Sequence, residues 1–101
     1  MSYERSKYVD SKKIKGIEFN FYTSSKPNKK YMAVFVNPKT GRQNTIHFGE
    51  LPYEHYYDSL STVYQDLWHL DPKRRRAYQV RHQNDIQKFP SPGYFSYFLL
   101  W

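Results

Sequence analysis

Near Gly49 the spacing of the apolar residues changes, and this change leaves few folds open to the chain. Before it, apolar and polar side chains alternate, as in Ile17, Phe19 and Phe21. After it, large apolar side chains recur at every third or fourth position. Alternation is typical of β-strands, and the longer spacing is typical of amphipathic helices. The sequence therefore predicts an α+β domain.

The first half of the chain contains the predicted strands, at residues 17–23, 31–37 and 44–48. Pro27 and Asn28 favour a turn after the first strand, and residues 37–42, with a proline and a glycine, favour a hairpin after the second. We expect these strands to form one small antiparallel sheet. Because such a sheet must bury its apolar face, it needs a cover.

Helices are expected to supply that cover, at residues 52–70 and 72–84. The second should begin at Asp71-Pro72, because aspartate is a good N-cap and proline suits the first helical position. A third segment, residues 94–101, is expected to form a short helix or a strand. The first helix is predicted from residues at helical spacing: Tyr53, Tyr56, Tyr57, Leu60, Val63, Tyr64, Leu67 and Trp68.

The core of this domain is expected to be aromatic. Leu, Ile, Val and Phe make up 22 of the 101 residues, only just above the level of roughly 20% below which a charged chain is usually disordered. Eleven tyrosines favour order, because each large aromatic side chain can bury on the order of 150–250 Å². The length allows one domain, which we place at residues 17–101.

The residues that could carry chemistry are few. There is no cysteine, which excludes a disulfide framework and a thiolate metal site. The four histidines match no common zinc spacing. A metal-dependent nuclease that uses His47 and His82 is the alternative. No nucleophilic-serine, phosphate-loop or dinucleotide motif occurs. We therefore expect neither an enzyme nor a cofactor.

Charge is segregated along the chain. Residues 1–49 contain ten basic and three acidic residues, residues 50–71 contain five acidic and no basic residues, and residues 72–101 contain six basic residues and one acidic residue. The net charge of +7 can thus cancel in part within the fold. Residues 1–16 are predicted to be an extended basic arm that becomes ordered against a partner, with a flexible tail as the alternative.

A second basic cluster lies at the predicted start of the helix after Asp71. Cations in a first helical turn oppose the helix dipole, so something should compensate them. One possibility is an external phosphate or carboxylate, and the other is internal pairing with Glu50, Glu54 or Asp58. The candidate residues for binding a partner or phosphate are Lys12, Lys13, Lys15, Lys73, Arg74, Arg75, Arg76 and Arg81.

The last eight residues are almost entirely apolar. An exposed run of this kind would form a patch that soluble monomers avoid, so we expect it to be buried. We favour burial within the same domain over insertion into a neighbouring molecule. The residues proposed for aromatic packing or an interface are Tyr94, Phe95, Phe98, Leu99 and Trp101.

Residues 30–101 resemble a family of small, functionally uncharacterised proteins of large nucleocytoplasmic DNA viruses. The most specific pieces are R-R-x-x-Y-x-x-R-H, from Arg74 to His82, and G-x-x-S-x-x-L-L-W, from Gly93 to Trp101. Further residues that carry the resemblance are Lys30, Tyr31, Ile46, His47, Phe48, Gly49, Tyr53, Tyr57, Asp71 and Lys73.

The resemblance brings no established activity, but it implies a viral protein located in the virion, and in the host cell during assembly. The expected function is that of a minor capsid or capsid-associated structural protein, which binds other viral structural proteins through the basic arm and aromatic surfaces. The alternative is a basic nucleic-acid-binding protein that acts in packaging or as an accessory factor. No transmembrane segment is expected, because no apolar run approaches the required length.

Overall fold

The computed structural model describes residues 6–101 and shows an α+β domain. Its sheet is antiparallel and has four strands in the order β1-β2-β3-β4, where three were predicted. The strands are β1 (Tyr8–Ile14), β2 (Ile17–Thr23), β3 (Lys29–Val36) and β4 (Gln43–Glu50). Two α-helices follow, α1 (Pro72–Arg81) and α2 (Pro92–Leu99). Within the described residues, no helix is long and apolar enough to cross a membrane.

The additional strand corrects the prediction of a free arm over residues 1–16. Residues 8–14 form β1, which pairs with β2 and sets Ile14 opposite Ile17. Val9 and Ile14 also pack against the core. The charges of this segment did not indicate a strand. An edge strand pairs on one side only and needs few apolar side chains, so lysines are common in it. Residues 1–5 of the predicted arm lie outside the described residues.

The predicted hairpin between β3 and β4 is confirmed. Its register sets Tyr31 opposite Phe48 and Ala33 opposite Ile46. The Asn37 amide donates to the Arg42 carbonyl at 2.8 Å, and Gly41 has a φ of 72°. A side chain rarely adopts this conformation, so glycine suits the turn.

The helix predicted at residues 52–70 is wrong. Most of the segment is irregular, with one short 3-10 turn at Gln65–Leu67. The Asp58 carboxylate accepts hydrogen bonds from the Leu60 and Ser61 amides, at 2.7 and 3.2 Å. Such bonds compete with helical backbone pairing. The amides of Tyr56 and Ser59 also donate outside the segment, to carbonyls at the end of α2.

The helix predicted at residues 72–84 is confirmed over its first ten residues. The Asp71 carboxylate accepts from the Lys73 and Arg74 amides, and Pro72 occupies the first turn. The α-helix ends at Arg81, and a 3-10 turn follows at Gln83–Gln87. The helix ends early because Asn and Asp are weak helix formers, and the Asp85 carboxylate bonds to the His82 ring instead.

Helix α2 covers one face of the sheet through Phe95 and Leu99, as expected for burial within the domain. The Phe95 ring centroid lies 5.1, 5.7 and 5.4 Å from those of Phe19, Phe21 and Phe48. Tyr94 is also buried, and Trp101 is half-buried. The predicted burial of Phe98 is wrong: its side chain is 53% exposed, and its ring contacts are with Tyr94 and Tyr97 of its own helix.

Candidate functional site

Helix α1 is an exposed element of the domain. None of its residues is buried. Its attachment to the domain is a stack of rings in which Tyr78 lies between His82 and Trp101, with both centroid distances 4.1 Å. The Arg75 Nε and Gln79 Nε2 atoms donate to the Trp101 carbonyl at 2.9 and 3.3 Å. Stacking and hydrogen bonds therefore fix a helix that buries no apolar face.

Two of the cations of α1 are used by the domain. The Arg74 Nη1 atom lies 2.8 Å from the Glu54 Oε1 atom, and this hydrogen bond lowers the pKa of Glu54. The Arg75 guanidinium lies over the Tyr56 ring, 4.7 Å from its centroid. Both interactions hold α1 against the preceding segment.

The other three cations share the opposite side of the helix, which we call the outer face of α1. At helical spacing this face is formed by Lys73, Arg76, Ala77, Val80 and Arg81. All five are exposed. Within residues 6–101 the side chains of its three cations make no hydrogen bond or ion pair.

The three candidate lysines of the predicted arm lie elsewhere, in the β1–β2 hairpin, and the side chains of two of them contact other side chains of the domain. The Lys12 Nζ atom lies 3.4 Å from Asp10 Oδ2, and Lys13 stands opposite Glu18 in the sheet. Lys15, in the turn after β1, has its Nζ atom 4.5 Å from the centroid of the Phe89 ring. The predicted basic residues therefore lie in two separate places, one at the β1–β2 hairpin and the other on α1.

A cavity of about 450 Å³ lies on the inner side of α1, and we call it the α1 cavity. The His82 Nδ1 atom lies 3.0 Å from Asp85 Oδ2 at its wall. The aromatic part of its lining includes Tyr53, Tyr78 and Trp101. Burial raises the pKa of Tyr78 to about 12, so this side chain is neutral at pH 7.

Sequence reasoning missed a buried polar cluster that borders the α1 cavity. The Lys30 side chain, only 2% exposed, donates through Nζ to the Tyr53 carbonyl at 2.7 Å and lies 2.9 Å from His55 Nδ1. Burial lowers the pKa of Lys30 to about 8, while the nearby Asp58 carboxylate opposes the shift. The hydrogen-bond partners lie 23 and 25 residues away in the sequence, so no local pattern could indicate them.

The same cluster holds the irregular segment onto β3. The Tyr31 hydroxyl donates to Asp58 Oδ2 and lies 2.7 Å from Ser61 Oγ. Burial raises the pKa of Asp58, although the hydrogen bond from Tyr31 opposes this. Burial also lowers the pKa of His55 to about 3, so its ring is neutral at pH 7. These groups connect elements of the fold.

The histidines do not converge on a metal site. His47 Nδ1 lies 2.7 Å from Ser24 Oγ, and His82 interacts with Asp85. Among residues 6–101 no three His, Asp or Glu side chains are grouped so that they could hold a metal ion. The structure therefore gives no support to the metal-dependent nuclease that the sequence left open.

The fold and the exposed basic helix define a small α+β domain with a cationic outer surface. The chain belongs to a family described as Family of unknown function (DUF5754), whose model matches residues 19–82. The match covers β2, β3, β4, the irregular segment and α1. No match was found among curated proteins or among solved structures.

Proposed function

We propose that the protein binds nucleic acid, with the outer face of α1 contacting backbone phosphates. The observation that carries this proposal is the alignment of Lys73, Arg76 and Arg81 on one exposed helical face without partners among residues 6–101. Lysine provides a point charge for phosphate and arginine a planar fork of donors. Cations that track a phosphate backbone supply most of the affinity in non-specific nucleic-acid binding.

Internal pairing with Glu50, Glu54 or Asp58 accounts for only one of the five basic residues of α1. Glu54 pairs with Arg74, as that alternative requires. Glu50, however, pairs with Lys29, and Asp58 is buried against Tyr31. The acidic residues that were candidates for neutralising the outer face are therefore engaged elsewhere.

The helix dipole favours an external anion at the first turn of α1. Apart from the N-cap Asp71, the first turn of α1 has no acidic residue, and consecutive cations follow Pro72. Each exposed cation near a helix N-terminus costs roughly 0.3–1 kcal/mol. A bound phosphate would relieve this repulsion, and the rigid ring stack would let α1 present its cations with little ordering cost.

The test compares two double variants with the same change in net charge. Lys73→Ala/Arg76→Ala removes cations from the outer face, whereas Lys39→Ala/Arg42→Ala removes cations from the β3–β4 hairpin loop. Fluorescence anisotropy with a labelled DNA duplex of mixed sequence should show about tenfold weaker binding, or about 1.4 kcal/mol, for the outer-face variant relative to the loop variant. Equal affinities of the two variants would contradict the proposal.

A second candidate is the structural role in a virus particle that the viral resemblance implies. The exposed Tyr57 and Phe98 rings favour it, because both line a groove of about 260 Å³ at the end of α2. Large exposed aromatic side chains are typical of protein interfaces. The partners would be other viral structural proteins, although the arm proposed to bind them contributes β1 to the protein's own sheet.

Recovery in purified virus particles tests this second candidate. We expect the unaltered protein to be retained and Phe98→Ala to be lost, with Val80→Ala, which changes an exposed side chain on α1, as the control. Absence of the unaltered protein from the particles would contradict a structural role.

A further inference from the structure

We propose that the α1 cavity receives an unpaired nucleobase that carries an amino group, from a single strand whose phosphates contact the outer face of α1. This inference rests on the proposed nucleic-acid binding and specifies what is bound. Its premise is that α1 separates two environments. The outer face presents unpaired cations, while the inner side borders an aromatic cavity with acidic groups.

The aromatic lining suits the flat face of a base. Tyr53 stands at the cavity with its side chain 67% exposed, and within the described part of the chain its ring contacts no other aromatic ring. The rings of Tyr78 and Trp101, with their planes 4° apart, form a stiff wall of the cavity. Because His82 and Trp101 cover the two faces of Tyr78, the ring on which a base would stack is Tyr53. Exposed aromatic rings are the platforms on which unpaired bases stack.

The carboxylates of the cavity suit amino groups rather than phosphates. Glu50 and Glu54 each place one oxygen on a cation, at 3.3 Å from Lys29 Nζ and 2.8 Å from Arg74 Nη1. Asp85 likewise places Oδ2 on His82. The second oxygen of each carboxylate accepts no hydrogen bond within residues 6–101. The two lysines of the lining are engaged, Lys29 by Glu50 and Lys30 by the Tyr53 carbonyl and His55. The carboxylate oxygens that remain free are acceptors, and they suit the amino group of a base.

The size of the cavity agrees with a ligand of this class. Its volume of about 450 Å³ lies within the range of roughly 300–1,000 Å³ of small-ligand sites. A base within a duplex could not enter, because its amino group is already paired and its faces are stacked. The cavity thus selects single strands, and among them those with cytosine, adenine or guanine.

The experiment compares single-stranded oligocytidine and oligouridine of equal length, because cytosine carries an amino group where uracil carries a carbonyl. By fluorescence anisotropy we expect oligocytidine to bind about tenfold more tightly than oligouridine. Tyr53→Ala should remove most of this preference. Tyr8→Ala is the matched control, since Tyr8 is similarly exposed on β1 at the far edge of the sheet, and it should keep the preference.

A second measurement uses nucleosides, which have no phosphate. In a Trp68→Phe variant, where Trp101 is the remaining tryptophan, cytidine should quench the fluorescence more than uridine does. Equal quenching by the two nucleosides would overturn the cavity assignment. Equal binding of both oligonucleotides and of a duplex would overturn it too, while leaving phosphate binding by α1 intact. If Lys73→Ala/Arg76→Ala binds all these oligonucleotides as tightly as the unaltered protein does, the proposed function itself fails.

Discussion

Replacing Phe95 tests whether α2 is docked on the protein's own sheet. Phe95 is fully buried, and its ring meets those of Phe19, Phe21 and Phe48. Phe95→Ala removes these contacts and leaves a cavity, which typically costs about 3–5 kcal/mol. A domain of this size is stable by about 5–15 kcal/mol in total. The variant should therefore lose a large share of its stability.

Phe98→Ala is the matched control because it changes the same residue type on the same helix. The Phe98 side chain is 53% exposed, so its loss should cost about 1 kcal/mol or less. Urea unfolding followed by circular dichroism measures both. In thermal unfolding, at roughly 4–8 °C per kcal/mol, Phe95→Ala should lower the midpoint by at least about 12 °C. Equal shifts for the two variants would show that Phe95 does not anchor α2 in the core.

Two further predictions concern the N-cap of α1 and a buried histidine. Asp71→Ala should lower the free energy of unfolding by about 1 kcal/mol, because the Lys73 amide loses its hydrogen bond to the Asp71 carboxylate. Urea unfolding measures this loss, and an unchanged midpoint would show that Asp71 does not stabilise the helix as its N-cap. His55 has its pKa lowered from 6.5 to about 3 by burial. The unfolded chain therefore takes up this proton first, so stability should fall as the pH falls from 6.5 towards 3, by at most about 1.4 kcal/mol per pH unit from this group. Urea midpoints at pH 7 and pH 5 should differ less in His55→Gln, and an unchanged difference would contradict the burial of a neutral ring.

The parts of the fold that follow from local patterns could be predicted from the sequence. Alternation indicated β2, a run of β-forming apolar residues indicated β3, and the hairpin turn indicated β4. Asp71-Pro72 indicated the start of α1. Strand β1 escaped prediction because backbone pairing holds it in the sheet, and the lysine charges of the segment do not prevent that pairing.

The error at residues 52–70 has a different physical cause. The aromatic residues there do recur at helical spacing, but they pack in different directions: Tyr64 against Tyr31, and Tyr57 against Trp68. Spacing alone does not distinguish one amphipathic face from separate contacts made by an irregular chain. The side chain of Asp58 then decides the local structure by bonding to the backbone.

The candidate site was predictable to the same limited degree. Four of the five cations of α1 form a continuous run in the sequence, Arg81 follows in the last turn, and the helical face of each follows from the N-cap. Which of them remain unpaired depends on Glu54 and Trp101, which lie 20 or more residues away. The Lys30 cluster and the α1 cavity depend on equally distant residues, so only the folded chain reveals them.

The salt dependence of DNA binding tests the central claim most directly. Three phosphate contacts, from Lys73, Arg76 and Arg81, should give a slope of about −2.7 when the logarithm of the duplex association constant is plotted against that of the salt concentration. Lys73→Ala/Arg76→Ala should flatten this slope by about 1.8, and Lys39→Ala/Arg42→Ala should leave it unchanged. A slope near zero for the unaltered protein, or the same slope in both double variants, would contradict phosphate binding by the outer face of α1.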